Sequence, residues 1–442
     1  MATEQQEPAF LPPVDSPDEM AIGMTVEPLR RRSASTGERA WIFGLLVGPS
    51  AVVSNGVVQG GVIGYLLSVQ GVGSGTQAHL IGLLALPTSL YFLWSPITDF
   101  FVRRRTWLIG GGMLAAALMW LGFRQQELSS SGAVALMLAS ACCSQLVVSS
   151  CGGIMGALGA ERTRRMAAAF YQAGSMGLGA LSAWVLVYLS SRVSRDALGL
   201  VAAALIGAPA LAAFAAPRQD EVRVGGFAHT MREVCSEFRA TFFRWDALPY
   251  IICMIFPMAS GSAVALLPGV ARQYAVDGDH VAWINGLLGG VLLAAGSSVM
   301  ALIRIPMKVP VLYMIVALVN CACLGILWLG PMRPATYYAG VLLYLFTVGC
   351  CYAMFTAVVL EFLGDSGKSG CARYSIINAL GNIPVLYMLQ VDGWGGDHWG
   401  GAGIAGAEAV IGAIGAVSLL VFFLIRAPAP TRIVRNQALA AQ

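Results

Sequence analysis

Apolar residues in this chain come in twelve runs, each near the length of a membrane-crossing helix and each almost free of charge. The runs cover 41–69, 78–100, 106–123, 132–159, 166–191, 197–216, 246–271, 280–303, 309–330, 335–363, 374–391 and 402–425. A helix needs about 20 apolar residues to cross hydrocarbon, where its backbone polar groups find partners only within itself. The pattern predicts an all-α multi-pass membrane protein with twelve transmembrane helices. Pro49, Pro87, Pro257 and Pro384 fall inside runs, which membrane helices tolerate better than soluble ones do.

The polar stretches organise these runs. Residues 1–39 hold five prolines and seven acids before Arg39, and predict a disordered cytoplasmic tail. The one long polar interior segment, 217–245, separates 40–216 from 246–426, six runs on each side. Within it Phe227, Met231, Val234, Phe238, Phe242 and Trp245 recur at helical spacing. That stripe suits an amphipathic helix on the inner membrane surface, or a linker helix packed on the protein. Residues 427–442 read as a second cytoplasmic tail.

Charge placement orients the chain. With the N-terminus inside, 22 of the 27 Lys and Arg residues lie on the inner side; Arg124, Arg192, Arg195, Arg272 and Arg333 lie outside. The positive-inside rule then puts both termini in the cytoplasm and the protein in the plasma (inner) membrane. The composition agrees: of 442 residues 57% are hydrophobic and 11% charged, with mean hydropathy +0.71. Too few charges remain to solvate a globule, and a net charge of +4 gives no nucleic-acid footprint. A monomer in the lipid bilayer is the expected state.

Little conventional active-site chemistry is visible. Most of the ten cysteines sit inside apolar runs as small packing residues, and Cys235 and Cys371 fall in loops placed inside. No CxxC or Cys/His spacing suggests a metal, and no nucleotide-binding or hydrolase motif stands in a soluble context. Neither a cofactor nor enzymatic activity is expected. Asp392, Asp397 and His398 in VDGWGGDHWGG are the only outside cluster suited to a membrane-embedded enzyme, and the glycines there read as a tight loop.

The polar residues inside the runs are the candidates for function. Asn55 and Gln59 lie one turn apart in the first run, Asn378 and Asn382 repeat that spacing in the eleventh, and Gln145 is mid-depth in the fourth. Such carboxamides either bind a polar solute or bond helices together. Asn320 reads as a packing bond. Glu408, in the twelfth run, and Glu361, near the end of the tenth, are candidates for proton coupling, because an acid in hydrocarbon is expensive; structural pairing is the alternative. Asp99 precedes Arg103, Arg104 and Arg105, and Glu161, Arg162 and Arg165 follow the fourth run. Together they suit a charge network that latches one conformation, or simply fix topology. Gly60/Gly64 and Gly152/Gly156 suggest close helix packing.

Two six-helix bundles joined by a cytoplasmic linker resemble the major facilitator superfamily, whose halves rock around a central site. FLWSP (92–96), Asp99 and RRRTWL (103–108) look like the same stretch in AmpG-type muropeptide permeases and the related acetyl-CoA transporters. Gly48, Gly56 and Gly60 leading into GYLL, and Ser144-Gln145 followed by Glu161-Arg162, extend the resemblance over the first half. It implies a secondary transporter of a small polar solute such as a muropeptide, with proton symport as the coupling to look for. Leu146, Ser150 and Met155 stand where the permeases carry acids, so any coupling acid has been lost or moved. A small-molecule exporter and a non-transporting sensor or scaffold remain as alternatives.

Overall fold

The computed structural model describes residues 40–94, 97–98, 102–156, 158, 161–216, 248–302, 307–363 and 379–426, with single positions between 232 and 243. The two tails and nearly all of the amphipathic linker stripe lie outside the described residues. Within them, nine helices are long and apolar enough to cross a membrane.

The first apolar run is an interrupted rod. It comprises α1 (Ile42–Leu46), α2 (Gly48–Ser50), a π-helical stretch Ala51–Val58 and, beyond Gly61, α3 (Val62–Val69). Gly61 has φ +82°, a left-handed conformation that favours glycine. The rest of the first half is α4 (Ser74–Leu90), α5 (Arg104–Phe123), α6 (Ser131–Gly156), α7 (Glu161–Ser190) and α8 (Arg195–Leu211). α5 packs between α6 and α8, while α7 lies along the interrupted first run.

The second half begins with a matching interruption. α9 (Leu248–Ile255) ends in a non-helical segment, 256–262, before α10 (Ala263–Val270). Pro257 cannot donate a helical bond, and Ala259 and Gly261 take φ of 53° and 71°. α11 (Gly278–Val281), a π-helical stretch Ala282–Leu288 and α12 (Gly289–Leu302) follow; α13 (Val309–Leu329) and α14 (Pro334–Leu363) come next.

The segment read as a tight loop between the last two runs is helical up to His398, and the tight turn is confined to Trp399 and Gly400. α15 (Ile383–Arg426) is two helices that meet at a tight reversal at Trp399 and Gly400, where Gly400 has φ 62°; the first of them continues through VDGWGGDH. Glycine is a poor helix former in water, but hydrocarbon offers the backbone no alternative partner. The glycines serve close approach: a Cβ on Gly393 would sit 2.4 Å from Ala78 Cβ, and one on Gly403 1.9 Å from the Gly395 carbonyl oxygen.

The two halves pack most closely at one end, and α4 and α15 stay in touch from there to Thr88 and Asn382. We call distal the end that carries the connections at 70–73, 191–194 and 275–277. There α3 crosses α10 so closely that a Cβ on Gly64 would lie 2.3 Å from the Ala265 carbonyl oxygen. Gly75 N donates to Asp397 Oδ1 at 2.9 Å, and Arg192 pairs with Asp279 at 2.7 Å. One buried apolar cluster runs through both halves on this side, including Val62, Ile81, Leu266 and Leu389. At the opposite end each half has its own core, around Phe43 and Cys151 in one and around Met254 and Tyr313 in the other.

Candidate functional site

Where the halves diverge they enclose a cavity of about 250 Å³, and a deeper chamber of about 80 Å³ toward the distal end shares Asn55, Gln59, Met176, Tyr352 and Val385 with its lining. Four of the five expected carboxamides meet there: Asn55, Gln59, Gln145 and Asn382 line the larger space. Asn378 lies outside the described residues.

Each of these residues is positioned by local sequence. Gly56 and Gly179 let the first run press against α7; a Cβ on Gly56 would meet the Ser182 hydroxyl at 2.0 Å. That closeness lets Asn55 Nδ2 donate to Ser175 Oγ at 2.9 Å. Gln145 is 4% exposed and donates through Nε2 to Ser54 Oγ at 3.1 Å. Asn382 Nδ2 donates to the Thr88 carbonyl at 3.3 Å, tying the two halves beside the cavity. Asn55, Gln145 and Asn382 therefore both face the cavity and bond helices. Gln59 lines both chambers, and its side chain makes no hydrogen bond to another described residue. Aromatic rings (Tyr91, Tyr171, Tyr313, Tyr352 and Phe355) complete the wall. None of its described residues is Asp, Glu, Lys, Arg or His.

A buried acid site adjoins this cavity. Glu408, 3% exposed, accepts four hydrogen bonds: from Ser260 Oγ at 2.8 Å, Gly261 N at 3.1 Å, Ala263 N at 2.9 Å and Tyr344 OH at 2.9 Å. The broken stretch before α10 exposes the backbone donors that an unbroken helix would have used internally. Expected as a proton-coupling residue or a structurally paired one, Glu408 is thus anchored by neutral donors, with no cation among its described partners. Beside it lies Asp392, fully buried, whose Oδ2 accepts from Ser262 Oγ and whose Oδ1 has no described partner.

Asp392 is the residue that the sequence reading misplaced, grouping it with Asp397 and His398 in an outside loop. The glycine-rich surroundings suggested a loop, yet Val385, Met388, Leu389 and Asp392 follow one helical face, and that spacing is its signal. The charge network is only partly visible. Asp99 lies outside the described residues; Glu161, Arg162 and Arg165 belong to α7, and the side chain of Glu361 in α14 likewise lies outside what is described. Arg104 packs its guanidinium over Gly153 of α6, where a Cβ would come within 2.6 Å. Arg105 donates to the Phe214 carbonyl and lies over its ring, 5.7 Å from the centroid; Arg103 is exposed. Asn320 is a packing bond as expected, donating to Thr347 Oγ1 at 2.8 Å. The expected Gly152 packing is absent: a Cβ there would meet nothing within 4 Å.

No family model and no curated protein sequence matches the chain. Solved structures do. The nucleoside transporter NupG aligns with a TM-score of 0.66 at 11% identity, covering 88% of this chain and 99% of that one. A peptide transporter POT in complex with sulfate aligns at 0.65 and 12% identity over 89% and 94%. A D-xylose-proton symporter aligns at 0.61 and 13% identity over 87% and 96%. At such identities the likeness is one of fold: the chain shares the helical fold of these solved transporters, and nine of its described helices are long and apolar enough to cross a membrane.

Proposed function

We propose that the chain is a secondary active transporter that moves an uncharged polar solute by alternating access. The observation that carries this reading is the cavity between two halves that pack most closely at the distal end and diverge around the carboxamides toward the other. In this reading 40–216 and 246–426 are two six-helix bundles, twelve spans with cytoplasmic termini, and the distal end faces outward. The conformation described is then inward-facing. Peptides, nucleosides and xylose name the solutes of proteins with this fold, and amide and hydroxyl groups along the wall suit molecules of that kind. An AmpG-like solute, the sugar or peptide part of a cell-wall fragment, fits the same chemistry. An acyl-CoA does not, because its phosphates call for cations and the described wall has none.

Uptake into proteoliposomes tests this. Labelled muropeptides, amino sugars, peptides and nucleosides are offered with and without an ion gradient; gradient-dependent accumulation of at least one is expected, and its absence across the panel overturns the reading. Gln59→Ala is the most informative variant, since the Gln59 side chain has no described bond inside the protein to lose. Deleting one neutral hydrogen bond to solute, about 0.5–1.5 kcal/mol, raises KM by about two- to tenfold. An exporter would show flux in the opposite direction. A scaffold would be indifferent to substituting Asn55 and Gln145 together.

A further inference from the structure

We infer that Asp392 and Glu408 form a two-carboxyl site that binds one proton, and that this is the ion the transporter couples to. The inference rests on the transport reading for its purpose but not for its chemistry.

The argument is a count of hydrogens. Asp392 Oδ2, Ser262 Oγ, Ser260 Oγ and Glu408 Oε1 form a chain with three links; the central and last links measure 3.1 and 2.8 Å. Each link needs one hydrogen, and the two serine hydroxyls supply two. With both acids ionised, Ser260 donates to Glu408 and Ser262 donates to Asp392. The two serine oxygens then face each other without a hydrogen between them. One added proton removes the conflict. Carried on Asp392 Oδ2, it lets Asp392 donate to Ser262, Ser262 to Ser260 and Ser260 to Glu408.

The surroundings assign the proton to Asp392. Glu408 has four donors aimed at it, including the Gly261 and Ala263 amides at the start of α10, and such a setting favours a carboxylate. Asp392 has one donor and, in Oδ1, a fully buried oxygen with no described partner, which an ionised group tolerates poorly. The other titratable groups facing the pair are Tyr344, Tyr352 and Cys351 of α14 and Cys321 of α13. No Lys, Arg or His among the described residues bonds to either acid. The same donor-rich surroundings disfavour a metal cation, which needs acceptors and not N–H groups.

Ser262 also lines the deep chamber and Ser260 the larger one, so the residues that bind the pair also border the cavity. The proton therefore has a route from Asp392 through Ser262 to the solute space. Both serines lie in the break between α9 and α10, and α10 is the helix that seals the distal end against α3. Loading and unloading the pair acts on the hinge of that seal.

Infrared spectroscopy of the full-length protein in lipid vesicles tests this without any solute. The wild type at neutral pH should show a protonated-carboxyl C=O band, lost in Asp392→Asn. In Ser262→Ala the band should persist but shift in frequency, because its hydrogen-bond partner is gone; this second variant keeps the test open if Asp392→Asn does not fold. A spectrum with no such band, or one unchanged by either substitution, overturns the inference. So does a band that sodium removes at constant pH, which would make the site a cation site. A band behaving as expected in a protein that transports nothing on the panel would sink the transport reading and leave the proton site standing.

Discussion

Glu408 shows at the scale of one residue how an acid is kept within an apolar fold. Its carboxyl is held by two hydroxyls and two backbone amides, so each donor removed should be measurable. Tyr344→Phe deletes one hydrogen bond to a charged group and should cost about 1.5–3 kcal/mol, read as a lower thermal unfolding midpoint in detergent. A midpoint equal to wild type would mean that the tyrosine bond is not made to a charged acid. Glu408 could be picked out of the sequence because it is a solitary acid in an apolar run. Asp392 could not, since the glycines beside it carry opposite meanings in water and in hydrocarbon. Asn55 and Gln145 were visible as polar residues, but their double duty depends on Ser175 and Ser54, which no local pattern links to them.

At the scale of elements, run lengths were legible and run interruptions were not. Proline and glycine mark positions where a helix tolerates a break, yet the break at 256–262 occurs where Glu408 supplies an acceptor for the freed amides. The crossing of α3 and α10 is similarly a matter of contact, with Gly64 set against the Ala265 carbonyl. Gly64→Val should push these helices apart, because a carbonyl oxygen in a helix cannot retreat as a flexible side chain can. Hydrogen–deuterium exchange at 62–69 and 263–270 should rise in this variant. Unchanged protection there would show that the distal seal does not depend on the close approach.

Across the whole molecule, closure of the distal end combines that backbone contact with polar links such as Arg192–Asp279 and Gly75–Asp397. Exposed ion pairs contribute little and are screened by salt. Arg192→Ala should therefore leave the distance between spin labels across the distal end close to that of wild type, whereas Gly64→Val should broaden or lengthen it. The opposite ranking would assign the seal to the ion pair.

The sequence by itself determined that the chain is built of long apolar helices suited to a membrane, because hydrophobic length acts locally and requires no partner. Glu408 emerged from the same logic. Only the tertiary structure decided that Asp392 is helical and buried, and that Ser260 is bonded to Glu408, 148 residues away in sequence. It also decided that two interrupted helices meet at glycines to close one end. These outcomes depend on which surfaces come within a hydrogen bond's length, and the order of residues along one strand of chain does not encode that locally.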